Sequence, residues 1–158
     1  MKDALAKVTE FHGLIGARVG ESPRLLSAKA EEVAPIADEL RSLARRCCEN
    51  GKPTDELRQR LSMALEEMAE WVEAHAADNL VAAADAWGDR LYVLLGDAVA
   101  AGLPGDAIFQ EVHRSNLTKA QRRAGANGKA LKDDSFVPPR LAPLLGLAEA
   151  NTDALPEK

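Results

Sequence analysis

The chain is 158 residues long, enough for one domain with a proper core. Its net charge of −5 argues against generic nucleic-acid binding. Aromatics are only 4% of the residues, Ala and Leu abound, and long stretches lack Pro and Gly, which disfavours a strand-built fold and favours helices. Cys47 and Cys48 are adjacent and are the only cysteines, so neither a disulfide framework nor a thiolate metal site is available. The opening residues, MKDALAKVTEF, lack the apolar core of a signal peptide, and the longest apolar run, 80–101, carries four charges. A cytoplasmic protein without membrane or nucleic-acid partners is the expectation.

Taken in chain order, residues 3–17 read as a helix with Leu5, Val8, Phe11 or His12, and Ile15 on one face. Gly16 and Gly20 loosen the chain after it. Ser22-Pro23 predicts the start of a second helix and Asn50-Gly51 its end. Thr54 is the expected cap of a third helix reaching about Ala76, with Asp55 and Glu56 in its first turn. A fourth helix is predicted over about 79–101, stopping at Gly102, and a shorter fifth over about 106–114. Asn127-Gly128 is a tight-turn signal, and Pro138-Pro139 introduces one last short helix. The expected architecture is all-α: a helical bundle with a small irregular basic C-terminal segment, one domain over residues 1–150 and a flexible tail over 151–158.

The acidic residues fall into two sets. On the third helix Leu57, Leu61, Leu65, Met68 and Val72 form one stripe, and Glu66, Glu67 and Glu70 fall on roughly the opposite face. A solvated acidic face is the plain reading of that helix alone, because like charges four residues apart cost only about 0.2–0.5 kcal/mol when exposed. The fourth helix is less ordinary. Asp85 and Asp89 share a face with Val81, Ala82, Tyr92, Val93, Gly96 and Ala100, none of them charged, and Arg90 points elsewhere. A helix apolar nearly all round is normally buried, and unpaired buried carboxylates are costly unless something neutralises them. A salt bridge from another helix or one protonated acid would do so. So would a hard divalent cation caged between this helix and the acids of the third, with Glu67, Glu70, Asp85 and Asp89 as oxygen ligands. Residues 112–132 contain no acid but hold Arg114, Lys119, Arg122, Arg123, Lys129 and Lys132. That is a solvated loop, a nucleic-acid patch or, beside a carboxylate-bound cation, a polyphosphate contact.

Five stretches, in order, resemble the all-α NTP pyrophosphohydrolases, the MazG-like and phosphoribosyl-ATP pyrophosphohydrolase-like proteins. LEEMAE at 65–70 is similar to that family's EExxE helix, DAWGDRLYVLLG at 85–96 to its second acidic helix, and EVHRSNLTK at 111–119 to the element that follows. EFH at 10–12 and NGKALK at 127–132 add to the match. The chain departs from the commoner ExxD form of the second motif, which would place Glu where Ala86 stands, so the ligand role falls to Asp85, as in DAxxD members. The stretch 21–56 is longer than the minimal fold needs, and its Glu31-Glu32 pair reads as an ordinary helix face.

The resemblance implies hydrolysis of a nucleoside triphosphate between the α and β phosphates. Mg2+, with Mn2+ as a substitute, would be held by Glu67, Glu70, Asp85 and Asp89, and Glu66 with Glu67 would serve the attacking water. Arg114, Asn116 and Lys119 would hold phosphate or sugar oxygens, and His12, Trp71 or Trp87 would pack on the base, although aromatics at helical spacing are more often core. His75 and His113 lack ligand-like spacing, and His113 is expected to support its loop. The family also implies a homodimer or homotetramer. The eFH and evhrsN elements lean toward dNTP-cleaning members, with dUTP-type pyrimidine substrates; a phosphoribosyl-ATP-cleaving enzyme and a non-enzymatic helical assembly module are the alternatives.

Overall fold

The computed structural model describes residues 1–49, 51–119 and 135–148. They belong to two compact units, one made of Met1–Gly20 with the described residues from Gly102 onward, the other of Glu21–Ala101. The all-α expectation holds, with one addition: a two-residue antiparallel ladder pairs β1 (Cys48–Glu49) with β2 (Lys52–Pro53). Gly51, inside that turn, has φ of 76°, which a residue with a Cβ adopts at a cost.

In the second unit α2 (Ala30–Arg46) and α4 (Leu80–Ala100) both pack on α3 (Glu56–Ala76). Helix α2 does not start at Ser22-Pro23: it begins at Ala30, with Lys29 at the N-cap and acidic Glu31 and Glu32 in its first turn, where the helix dipole favours them. The late start puts Pro35 in the second turn instead of mid-helix, where its ring and missing N–H would do more damage. Helix α3 is capped by Asp55, one residue later than expected, whose carboxylate accepts from the Arg58 amide at 2.8 Å. Thr54 instead accepts from the Arg58 guanidinium at 2.8 Å. Asn79 caps α4 by accepting from the Ala82 amide at 3.0 Å.

The core of this unit is built from small residues. Ala37, Ala44, Ala69, Ala74, Ala83 and Ala86 are buried, Ala69 completely. Small side chains let backbones approach closely, and that decides which faces meet. The Leu stripe of α3 is not the buried one: Leu57 is 77% exposed and Leu61 is also exposed, whereas Ser62 and Ala69 are buried. Nor is α4 buried all round. Val81, Tyr92 and Val99 are each at least 80% exposed, Leu95 is exposed with them, and only Ala83 and Ala86 are buried. Arg60 ties α3 to α4 by donating to Asp97 Oδ1 at 2.6 Å and to the Val93 carbonyl.

In the first unit α1 (Lys2–Ile15) packs with α5 (Gly105–Leu117), which runs three residues past its expected end. Ile15 is the buried member of the predicted α1 face, while Leu5 and Val8 stay exposed. Residues 138–140 are not helical; a single 3-10 turn follows at Pro143–Leu145. Arg140 donates its amide to Glu111 Oε1 at 2.7 Å and Pro138 gives its carbonyl to Arg114, so this stretch is spent on α5 and cannot close helical bonds. The Asn127-Gly128 turn, Arg122, Arg123, Lys129, Lys132 and the 151–158 tail lie outside the described residues. Among the described residues no single helix is long and apolar enough to cross a membrane.

Candidate functional site

Five carboxylates come together along one flank of the α3–α4 pair. At about 100° per residue, Glu66, Glu70 and Glu67 step round α3 from the side facing α2 to the side facing α4. The acidic face is solvated at Glu66 and Glu70 but is not the far side of α3. It is the part of α3 left between its two neighbours, and α2 reaches it directly: Ser62 Oγ lies 3.3 Å from Glu66 Oε1 and 3.4 Å from the Ala44 carbonyl. One hydroxyl proton serves either acceptor, so Ser62 links Glu66 to the end of α2.

Glu67 is the exceptional member. Its Oε2 is buried and has no hydrogen-bond partner. Its carboxyl is pushed above the usual range, first by desolvation and then by the charges of Glu70, Asp89, Glu66 and Asp85. The other four acids thus lie within electrostatic reach of Glu67. Asp85 and Asp89 are themselves exposed, contrary to the expectation of a buried pair, because the small residues Ala83 and Ala86 occupy the face that α3 covers. The cost of an unneutralised acid falls on Glu67 instead. Among the described residues no cation pairs with Glu66, Glu67, Asp85 or Asp89. Ala86, where the family's commoner motif has Glu, is only 3% exposed. It serves the helix contact, and Asp85 one residue earlier turns toward the acidic flank.

The donor set suits a hard divalent cation: all oxygen, mostly carboxylate, and one orphaned buried oxygen that a cation would satisfy. In the conformation described, no three acidic or histidine side chains are grouped closely enough to form a finished ligand shell among the described residues. The acids are aligned, and side-chain rotation would be needed to converge them.

One cation flanks the row. Arg41 of α2 forks onto Glu73, with Nε to Oε1 at 2.5 Å and Nη2 to Oε2 at 2.6 Å, and the same Nη2 lies 3.8 Å from Glu70 Oε1. That hydrogen-bonded guanidinium holds the Glu73 carboxyl below its ordinary range. Arg41, Glu73 and Ser62 were not singled out from the sequence. Glu73 continues the row of Glu66 and Glu70 at helical spacing and was legible as such; Arg41 lies on another helix, where periodicity carries no information about α3.

Trp87 lies elsewhere. It is about 160° around α4 from Asp89, and lines a groove of about 280 Å³ with Met68, Arg90, Leu91 and Leu94 on the other flank of the pair. Arg90 does point away from the aspartates, and stacks 4.4 Å over the Trp71 ring. Trp71 in turn meets His75 edge-on at 4.6 Å.

The remaining candidates belong to the first unit. His12 Nδ1 lies 3.1 Å from the Arg18 carbonyl, at the end of α1. Arg114 forks onto Glu111 at 2.9 and 2.7 Å and donates to the Pro138 carbonyl at 3.1 Å. Asn116 Oδ1 accepts from Lys119 Nζ at 2.7 Å, and Lys119 also lies 5.1 Å from the Phe136 ring centre. Ser115, buried, donates to the Val137 carbonyl at 2.8 Å, and the Val137 amide donates to Thr118 Oγ1 at 2.9 Å. His113 stacks on Phe109 and faces Glu10 at 3.6 Å, a supporting position.

No curated protein and no solved structure matches the chain. The model of the phosphoribosyl-ATP pyrophosphohydrolase family matches residues 43–116, a little under half of the chain. That stretch holds all five carboxylates of the flank, together with Arg114 and Asn116, but neither His12 nor Lys119. Over it, the chain is similar to that family, whose members are pyrophosphohydrolases, hydrolases of acid anhydrides, and which belongs to the MazG-like all-α NTP pyrophosphohydrolase superfamily.

Proposed function

We propose that the chain is a Mg2+-dependent pyrophosphohydrolase that splits the α–β phosphoanhydride bond of a nucleotide, releasing a monophosphate and pyrophosphate. The observation that carries this reading is the buried, unpartnered Glu67 Oε2 among four further carboxylates, inside the stretch that matches a pyrophosphohydrolase family. Glu67, Glu70, Asp85 and Asp89 are the proposed holders of the cation, which when bound supplies charge neutralisation for phosphate and a more acidic water. Glu66, linked to Ser62, is the group proposed to orient that water and take its proton. Arg114, Asn116 and Lys119 remain the proposed partners of phosphate and sugar oxygens and His12 of the base, while Trp87, on the other flank of α4, is left to the groove it lines.

The family match favours a phosphoribosyl-ATP-type substrate. The elements at 10–12 and 111–119 favour a pyrimidine dNTP such as dUTP as the second reading. A homodimer or homotetramer is supported by the exposed apolar row of Val81, Tyr92, Leu95 and Val99 on α4. The test is pyrophosphate release with Mg2+ from a panel containing phosphoribosyl-ATP, canonical dNTPs and dUTP, repeated with EDTA. Release from at least one nucleotide, abolished by the chelator, is expected; no release from any of them would falsify the enzyme reading and leave the helical assembly module.

A further inference from the structure

Arg41 and Glu73 have no place in the chemistry proposed above, yet they sit against it. Arg41 is the only arginine among the described residues with a guanidinium nitrogen within 4.0 Å of any of the five flank carboxylates, its Nη2 lying 3.8 Å from Glu70 Oε1. That separation is about 1 Å too long for a charge-assisted hydrogen bond. What keeps it long is Glu73, which takes both Nε and Nη2 in a fork at 2.5 and 2.6 Å. A guanidinium whose Nε and Nη2 are held by one carboxylate cannot offer that same fork to a second. Glu70 and Glu73 are three residues apart on α3, so a small rotation of the Arg41 side chain moves it from one to the other.

We propose that Glu73 parks Arg41, keeping its hydrogen-bonding fork off Glu70 so that Glu70 stays available to a divalent cation, and that α2 thereby sets the cation affinity of the α3–α4 flank. The inference rests on the metal-binding reading. Glu73 is a positioning residue here, since it acts on Glu70 through Arg41. Removing its charge frees Arg41 to pair with Glu70, placing a competing cation on a proposed ligand. Removing Arg41 as well takes that competitor away.

Mn2+ binding to the full chain, followed by the loss of the free-ion electron paramagnetic resonance signal, tests this without any nucleotide. Glu73→Gln is expected to weaken Mn2+ binding about tenfold. Arg41→Met is expected to bind at least as tightly as the parent, and the double variant to return to within about twofold of Arg41→Met. Equal weakening by Glu73→Gln with and without Arg41 would mean that only its charge matters, and would overturn the proposal; so would unchanged affinity in Glu73→Gln. If Glu73→Gln does not fold, Arg41→Lys takes its place: a lysine keeps the charge but loses the fork, and weaker binding is expected, with unchanged binding counting against the proposal. Failure of the parent chain to bind Mn2+, or undiminished binding by Asp89→Asn, would instead sink the metal reading and this inference with it.

Discussion

Two glutamates in the two units share a residue type and almost nothing else. Glu111 on α5 is fully engaged: Arg114 forks onto it, the Arg140 amide donates to it, and its carboxyl is held down to about 2, first by the Arg114 hydrogen bonds. Glu67 on α3 is crowded by four like charges and has one oxygen bonded to nothing. The first arrangement stabilises its own fold and leaves the Glu111 carboxylate little for a ligand. The second costs the free protein something, and a cation would recover that cost. An acid that is stabilised by its neighbours serves structure; an acid that its neighbours destabilise is the one to suspect of chemistry.

The contrast can be broken, the largest effect first. Glu67→Gln or Asp89→Asn is expected to lower Mg2+-dependent pyrophosphate release by roughly a thousandfold while the circular dichroism spectrum stays helical, as for removal of a ligand and not of a core residue. Activity retained in both would return the flank to a merely solvated face. Ser62→Ala should remove about 1 kcal/mol of positioning from Glu66, read as a fall of roughly fivefold in kcat with little change in KM. An unchanged kcat would separate Ser62 from the site.

Stability sharpens the comparison further, and the two acids carry opposite signs. Glu67 binds its proton more tightly folded than unfolded, so it detracts from stability above the ordinary glutamate range and not below it. In metal-free buffer, Glu67→Gln should raise the melting temperature at pH 7 by roughly 2 °C, and the gain should vanish below about pH 4. A variant less stable than the parent at pH 7 would mean that the carboxylate has a partner. Glu111 is depressed, so its contribution is fully present above the ordinary glutamate range and is lost as pH falls toward 2. Glu111→Gln should melt slightly below the parent at pH 7, with the difference closing by pH 2; its carboxyl carbon in the parent should titrate near 2 by NMR. A midpoint near 4 would show the Arg114 fork to be too weak to matter.

Much of this was legible along the chain. The helix caps, the Gly stops and the amphipathic periods located α3 and α4 to within a residue or two, since those signals act over three or four neighbours. The acids Glu66, Glu67, Glu70, Asp85 and Asp89 stood out by spacing alone. What misled was size. Leu57 and Leu61 of the α3 stripe are exposed while alanines and a serine are buried, because close helix packing selects small side chains over large apolar ones. The Ser22-Pro23 start was a valid local signal that the chain does not use.

Local order in sequence therefore determined the class of the fold, the helices that carry the acids and the residue types available to a cation, all of which depend on neighbours a few positions apart. Only the tertiary structure decided which acid bears the cost. Glu67 rather than Asp85 or Asp89 carries the buried oxygen because burial is set by which helix faces approach, and Ala69, Ala83 and Ala86 set that approach. The tertiary structure alone also brought Arg41 to Glu73 and Glu70, from 32 residues away in sequence to hydrogen-bond distance of the first. No periodicity within one helix encodes a contact made by another.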